Sequence, residues 1–290
     1  MPQPQFHPLP GLGVIRLEGP DAVPFLQAQV TADLRPLEPG QGTQAAWCSP
    51  QGRVIALLRV LRRDDGLLCV LPRELAADVA ARLGRFVMRS RVTLADDSPG
   101  SAVAGLAGDP SRFRAVAGGA DIVPLTAERA LLVMQAARMD SVLQAMPAAP
   151  IPAWEAACIR VGEPEVYGST SESWVPQMLN LDLLGAVSFR KGCYPGQEIV
   201  ARTQNLGRIK RRLFRYRISG EGLPAPGDAL DLGQSKVGEV VRSVRHEGVA
   251  ELLAVVNLDS AGVGLTAAGG TVECSPEPLP YAVPEAPGAP

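Results

Sequence analysis

The chain has 290 residues, with 28 basic and 30 acidic side chains and a formal net charge of −2. That length sets a prior of about two domains and lets about three quarters of the unfolded surface be buried, which excludes a disulfide-stapled miniprotein. A hydrophobic content of 46% excludes disorder, a membrane helix would need about 18 unbroken apolar residues where Arg, Asp or Gly interrupts every long stretch, and the charge balance argues against nonspecific coating of nucleic acid or anionic membrane.

In chain order, Leu12 to Leu17 reads as a strand, and Gly19, Pro20 and Asp21 as a turn that starts an amphipathic helix carrying Phe25, Leu26, Gln29 and Val30. After Pro39 and Gly40, two strands, Ala45 to Ser49 and Val54 to Leu61, are joined by a Ser49-Pro50-Gln51-Gly52 turn, with Leu67 to Leu71 a third. Helical spacing runs from Pro72, placed in the first turn, to Phe86, with Leu75, Val79, Leu83 and Phe86 on one face. Ser98 to Ala120 is rich in Gly, Pro and Ala, and a further strand and helix follow before the prolines of 146–152, which read as a linker or domain edge. A helix resumes at Trp154 and breaks at Gly162 and Pro164. Leu183 to Phe189 reads as a strand delivering a loop at Lys191, with Pro195 in the first turn of the next helix. Beyond Gly207, short alternating segments (Arg212 to Ile218, Ala229 to Leu232, Lys236 to Val244, Ala250 to Asn257 and Thr271 to Cys274) predict a small antiparallel barrel or sandwich. A proline-rich end follows.

Two scarcities narrow the chemistry. Only His7 and His246 exist, which rules out a multi-histidine metal site and disfavours a catalytic triad. The five cysteines, Cys48, Cys69, Cys158, Cys193 and Cys274, contain no CxxC pair and no zinc spacing. Reduced thiols in a cytoplasm are expected, and no apolar leader precedes Arg16. Lys191, Lys210 and Lys236 are the only lysines among the 28 basic residues. There is no P-loop, and no GxGxxG follows a strand.

Lys191 falls in the most unusual octapeptide, KGCYPGQE, from Lys191 to Glu198. A thiol beside a helix N-terminus and near a cation has a lowered pKa, which would make Cys193 nucleophilic or oxidisable. The bland reading, a small buried apolar group, is adopted for the other four cysteines; at Cys193 flanking glycines and the neighbouring cation set it apart. Glu198 could equally serve the helix dipole or pair with Lys191 or Arg202. Chemistry alone does not choose.

KGCYPGQE, continuing into Val200-Ala201-Arg202, resembles the signature of the YgfZ family of folate-binding proteins linked to tRNA modification, whose usual form has Thr or Ile at the position of Pro195. Gly19 to Asp33, Ser49 to Arg53, Val175 to Phe189, Lys210 to Leu213 and Glu277 to Tyr281 are similar to that family as well, so the resemblance spans nearly the whole chain. It implies an α+β fold like that of the glycine cleavage system T protein, with two α/β units around a central hole and a C-terminal antiparallel β-barrel. The domains expected are 1–40 with 150–207, carrying the motif; an inserted 41–149; a barrel over 208–282; and a tail over 283–290. The implied function is that of a cytoplasmic tetrahydrofolate-binding accessory protein for assembly or repair of iron-sulfur enzymes, supporting tRNA modification indirectly. Cys193, Lys191 and Glu198 are the implied reactive residues. Lys191, Gln197, Arg202 and Tyr167 are the implied folate-binding residues, and no resident metal is expected. Partners would be folate and iron-sulfur assembly proteins or client enzymes, with no membrane and no direct nucleic-acid binding.

The competing reading is a folate-dependent one-carbon transferase. Against it, the acidic pair that aminomethyltransferase relatives place after the glycine turn falls on Ala56 and Leu57, and their pterin-anchoring Glu falls on Gly162, with Glu163 and Tyr167-Gly168 close by. The arginines between Arg202 and Arg217 have two readings, a solvated barrel face or a partner for the folate glutamate tail.

Overall fold

The computed structural model describes residues 5–108, 118–146, 148–205 and 209–284. Part of the Gly/Pro/Ala-rich stretch, Pro147, Leu206, Arg208 and the last prolines therefore lie outside the described residues. Met1–Cys48, Ala56–Ile151 and Ala186–Pro195 form one compact unit; Ser49–Ile55, Pro152–Gly185 and Gly196–Pro290 form a second.

The first unit is built on two antiparallel sheets. Strands β1 (Gln5–Pro8), β2 (Leu12–Glu18), β3 (Gly42–Cys48), β4 (Val54–Arg63), β5 (Gly66–Pro72), β6 (Thr93–Asp96), β7 (Ser101–Ala107), β8 (Asp121–Thr126) and β9 (Arg129–Gln135) arrange as β3-β4-β5-β2-β6 and β1-β7-β9-β8. β4 and β5 are apolar almost end to end because both faces are covered. Helix α1 (Ala22–Gln27) buries Phe25 and Leu26, and α2 (Arg73–Gly84) buries Leu75, Ala76, Val79 and Leu83. Burial of each large side chain contributes about 1.5–3 kcal/mol. α2 lies tight on β2, where a Cβ on Gly13 would come within 3.0 Å of the Arg73 backbone and 3.1 Å of the Ala76 methyl. Pro72 precedes this helix as its cap residue instead of entering the first turn. Helix α3 (Met139–Ala145) sets Val142 into the core of the second sheet with Phe6, Leu106, Leu132 and Met134.

Two expectations are corrected in this unit. Residues 101–107, inside the Gly/Pro/Ala-rich stretch for which no strand was expected, are β7, a sheet strand whose Val103, Ala104 and Leu106 are buried; its small side chains resemble a loop in composition alone. Leu183 to Phe189 forms no strand, because its backbone is engaged elsewhere: the Ala186 carbonyl accepts from Thr31 Oγ1 at 2.6 Å and the Ser188 N–H donates to the Thr31 carbonyl at 2.9 Å.

In the second unit, helix α4 (Ile151–Arg160) and helix α5 (Gln197–Asn205) accompany a closed barrel of β10 (Arg211–Ser219), β11 (Ala229–Leu232), β12 (Ser235–His246), β13 (Val249–Asn257), β14 (Leu265–Ala267) and β15 (Val272–Glu277). The order is β10-β13-β12-β11-β14-β15, with β15 pairing back to β10, so no edge is left open. Tyr216, Leu230, Val240, Leu252, Ala254, Val256 and Cys274 fill the interior. A bulge between Val240 and Arg242 shifts the β12 register, and Arg242 lies buried next to it. Among the described residues, no helix is long and apolar enough to cross a membrane.

Candidate functional site

The motif is divided between the units, the chain passing from the first to the second between Pro195 and Gly196. On the first side, Gly192 and Cys193 are exposed while Lys191 and Tyr194 are each only 6% exposed. The Lys191 ammonium donates to the carbonyls of Gln27 (2.5 Å), Val30 (2.5 Å) and Ala32 (3.0 Å). These are carbonyls at and just beyond the end of α1, where helix geometry provides no partners. The Tyr194 ring centroid lies 5.2 Å from the same nitrogen. Burial pulls the Lys191 pKa down to about 8; Asp33 opposes that shift and Arg35 adds to it. With three donors given to three carbonyls, the ammonium is oriented toward backbone.

Cys193 is the one exposed cysteine of the five. Burial pushes the Cys48 and Cys69 thiols up to about 12 and that of Cys274 up to about 11, so they stay protonated and inert.

On the second side, Gly196 has φ +79°, the left-handed region. A Cβ there would meet the Ser49 carbonyl oxygen at 2.5 Å and Gly52 Cα at 2.7 Å. The 49–53 turn is held by Gly52 N–H to Ser49 O and Ser49 N–H to Arg53 O, both 2.8 Å. Gly192 has no described heavy atom within 4 Å of an added Cβ, so of the motif's two glycines only Gly196 is required by the backbone path. Pro195 is not in the first turn: α5 opens at Gln197, with Val200 N–H donating to Gly196 O at 3.2 Å. Gln197 is half-buried, and Glu198 and Arg202 are exposed, in the first and last turns respectively. Gln177 Nε2 donates to Val200 O at 2.8 Å and fastens the helix, while its own Oε1 is buried with no partner among the described residues.

A buried charge set lies elsewhere in the second unit. Arg242 donates to the Glu163 carbonyl at 3.0 Å and to the Glu155 carboxylate. Burial works against its charge, yet Glu155, together with Cys158, Tyr167 and Glu165, holds its pKa well above the usual value. Glu163 and Glu165 are buried and Tyr167 is half-buried. Arg242 Nε has no hydrogen-bond partner among the described residues. Sequence reasoning noted Glu163 and Tyr167 and missed Glu165, Arg242 and Thr31; the bulge that accompanies the burial of Arg242 has no signature in the chain.

The arginines of β10 are engaged within the protein, three of them with its own acids. Arg212 makes a bidentate pair with Asp182 at 2.6 and 2.9 Å, both side chains at most 5% exposed. Arg215 pairs with the buried Glu251, Arg217 with Glu277 at 2.8 Å, and Arg211 donates to Asn257. These pairings engage Arg212, Arg215 and Arg217 with the protein's own acids, but only Arg217 is exposed as a solvated barrel face requires, Arg212 being buried and Arg215 half-buried; Arg202 and Lys210 are exposed.

The donor set bears on folate. The second unit holds a buried donor, Arg242 Nε, and a buried acceptor, Gln177 Oε1, each without a partner among the described residues, and a half-buried phenol at Tyr167; as residue types these suit a pterin's donor and acceptor atoms. These residue types fit the group. Lys191 does not fit the role expected of it, since its donors are already taken.

No family model matches the chain. It is 33% identical over 279 residues to the tRNA-modifying protein YgfZ of Edwardsiella ictaluri, covering 87% of this chain and 80% of that one. Identity to the tRNA-modifying protein YgfZ of Cronobacter sakazakii is 30% over 298 residues, covering 93% and 91%. Among solved structures, the glycine cleavage system aminomethyltransferase T of Bartonella henselae matches with a TM-score of 0.76 over 98% of this chain and 87% of that one. At 14% identity this likeness shows the fold alone.

Proposed function

The chain belongs to the YgfZ family, and from this premise we propose that it serves tRNA modification as a cytoplasmic accessory protein, binding tetrahydrofolate and using the Cys193 thiol on iron-sulfur assembly proteins or client enzymes. The observation that carries the reading is the contrast among the cysteines: four are buried, and the one in the motif is exposed on a loop whose neighbours Lys191 and Tyr194 are buried. A thiol presented in this way is accessible to bond through Sγ, as the thiolate, to iron of a cluster that is in transit. The remaining cluster ligands come from the partner, since one cysteine cannot complete a cluster. An intramolecular disulfide is disfavoured because no second thiol of the chain is accessible.

Tetrahydrofolate supplies a reduced pterin with a carboxylate tail. Tyr167, with the Arg242 and Gln177 atoms that lack partners among the described residues, is assigned to the pterin; Gln197 and Arg202 are assigned to the tail, where a guanidinium suits a carboxylate. Glu198, exposed in the first turn of α5, favours that helix end. Ala56 and Leu57 are wholly buried in β4, so no carboxylate stands where an aminomethyl transferase would need one, and this supports the accessory role over the transferase. Titration of purified protein with tetrahydrofolate tests the cofactor assignment: saturable binding weakened by Tyr167→Ala and Arg202→Ala is expected, and no binding overturns it. Turnover of an aminomethyl or N-methyl donor would favour the transferase instead.

A further inference from the structure

We propose that Lys191 is a positioning residue whose ammonium, seated in the carbonyls of Gln27, Val30 and Ala32, ties the Cys193 loop to the turn after α1 and so sets how the thiol is presented. The inference rests on the reading of Cys193 as the functional group. It differs from a role for Lys191 as folate ligand or as a cation acting on the thiol, because all three of its N–H donors are engaged by backbone.

Three observations converge. The turn that supplies the carbonyls is itself rigid: Thr31 N–H donates to Ala46 O at 2.9 Å, Ala46 N–H donates to Thr31 Oγ1 at 2.8 Å, Leu34 N–H donates to Gln27 Oε1 at 2.7 Å, and Val30 bridges Trp47. Thr31 also holds the Ala186 and Ser188 backbone that leads into the motif. Lys191 is thus the second fastening of one loop onto one turn, and Cys193 lies two residues beyond it. Then there is the choice of cation. The chain uses arginine for all but 3 of its 28 basic residues, yet a lysine stands here. A guanidinium is a planar fork that matches paired acceptors, whereas three acceptors around one point need a compact ammonium. Finally, the Tyr194 ring caps the nitrogen and is itself buried, so the two residues flanking Gly192 and Cys193 are fixed while those two are exposed.

The charged groups facing the ammonium are Asp33 and Arg35, the latter paired with Asp33 at 2.7 Å. At neutral pH Lys191 carries its proton and fills all three acceptors. Above about pH 8 the amine keeps two donors and one carbonyl loses its partner.

The test uses the full chain carrying Lys191→Ala, with two readouts: amide hydrogen exchange over 27–32 and 190–194, and the alkylation rate of Cys193. Loss of charged hydrogen bonds predicts exchange faster by on the order of tenfold or more, with a changed alkylation rate. n-Propylammonium, which replaces the removed atoms, should restore both; tetramethylammonium, which has no N–H donor, should restore neither, and Lys191→Arg should behave like the alanine variant. Unchanged exchange, or equal rescue by both ammonium ions, overturns the proposal. If the alanine variant does not fold, wild-type protein labelled at its three lysines decides. The Val30 and Ala32 amides should shift with the titration of the Lys191 ammonium that their carbonyls hold, and amides that stay unmoved while Lys191 titrates overturn the proposal. Rescue of function by Cys193→Ala with the exchange results intact would remove the functional reading and leave the positioning role standing.

Discussion

Replacing Gly196 with alanine separates what the motif needs for folding from what it needs for chemistry. At φ +79° an alanine adopts a conformation costing about 1–2 kcal/mol for an L residue. Its Cβ would lie 2.5 Å from the Ser49 carbonyl oxygen and 2.7 Å from Gly52 Cα, and both are backbone atoms of a hydrogen-bonded turn that cannot rotate away. Overpacking of that kind adds about 1–3 kcal/mol, so the total is about 2–5 kcal/mol. At roughly 2–4 °C per kcal/mol, the melting temperature should fall by roughly 4–20 °C. Gly192→Ala is the internal control: with nothing within 4 Å and no left-handed φ, it should change stability by no more than about 0.5 kcal/mol. Denaturant midpoints of wild type and both variants measure the difference. A Gly196→Ala protein as stable as wild type, or two variants equally destabilised, would refute the geometric argument.

Arg212→Met should destabilise by about 3–5 kcal/mol because it leaves the Asp182 carboxylate buried and unpaired; the double variant with Asp182→Leu should regain most of this, as read by urea unfolding. Native protein treated with excess iodoacetamide should gain one label, at Cys193, and four more only after denaturation; intact mass counts them, and a second label on folded protein would contradict the burial described. The pairing of Asp33 with Arg35 holds the Asp33 carboxyl near 2, below its ordinary 3.8. Its stabilisation is therefore present above about pH 4 and lost as pH falls through 2. For so exposed a pair the effect is small, and Asp33→Asn should remove that limb from the acid unfolding curve.

The barrel was legible because its strands alternate. Tyr216, Ile218, Leu252, Ala254 and Val256 point inward at period two, and turn residues separate the segments. β14, three residues long, is too short to show a period, and β1 is only four residues long and ends in a proline. Leu183 to Phe189 misled because an apolar run reads as a strand when its backbone partners are unknown; here Thr31, more than 150 residues away, supplies them. Recognising KGCYPGQE singled out the candidate site. The role of Lys191 was hidden for a physical reason: its partners are main-chain carbonyls, which every residue carries and no side-chain pattern reports. Arg212 shows the same limit from the other side, since a run of arginines advertises a ligand until Asp182, Glu251 and Glu277 are seen beside it.

The central claim is that Cys193 is the group through which this protein acts. Growth and tRNA modification in a strain lacking its own family member, complemented with wild type, Cys193→Ser or Cys158→Ser, test it most directly. The account predicts rescue by wild type and by Cys158→Ser and failure by a soluble, folded Cys193→Ser protein. Full rescue by Cys193→Ser would contradict it.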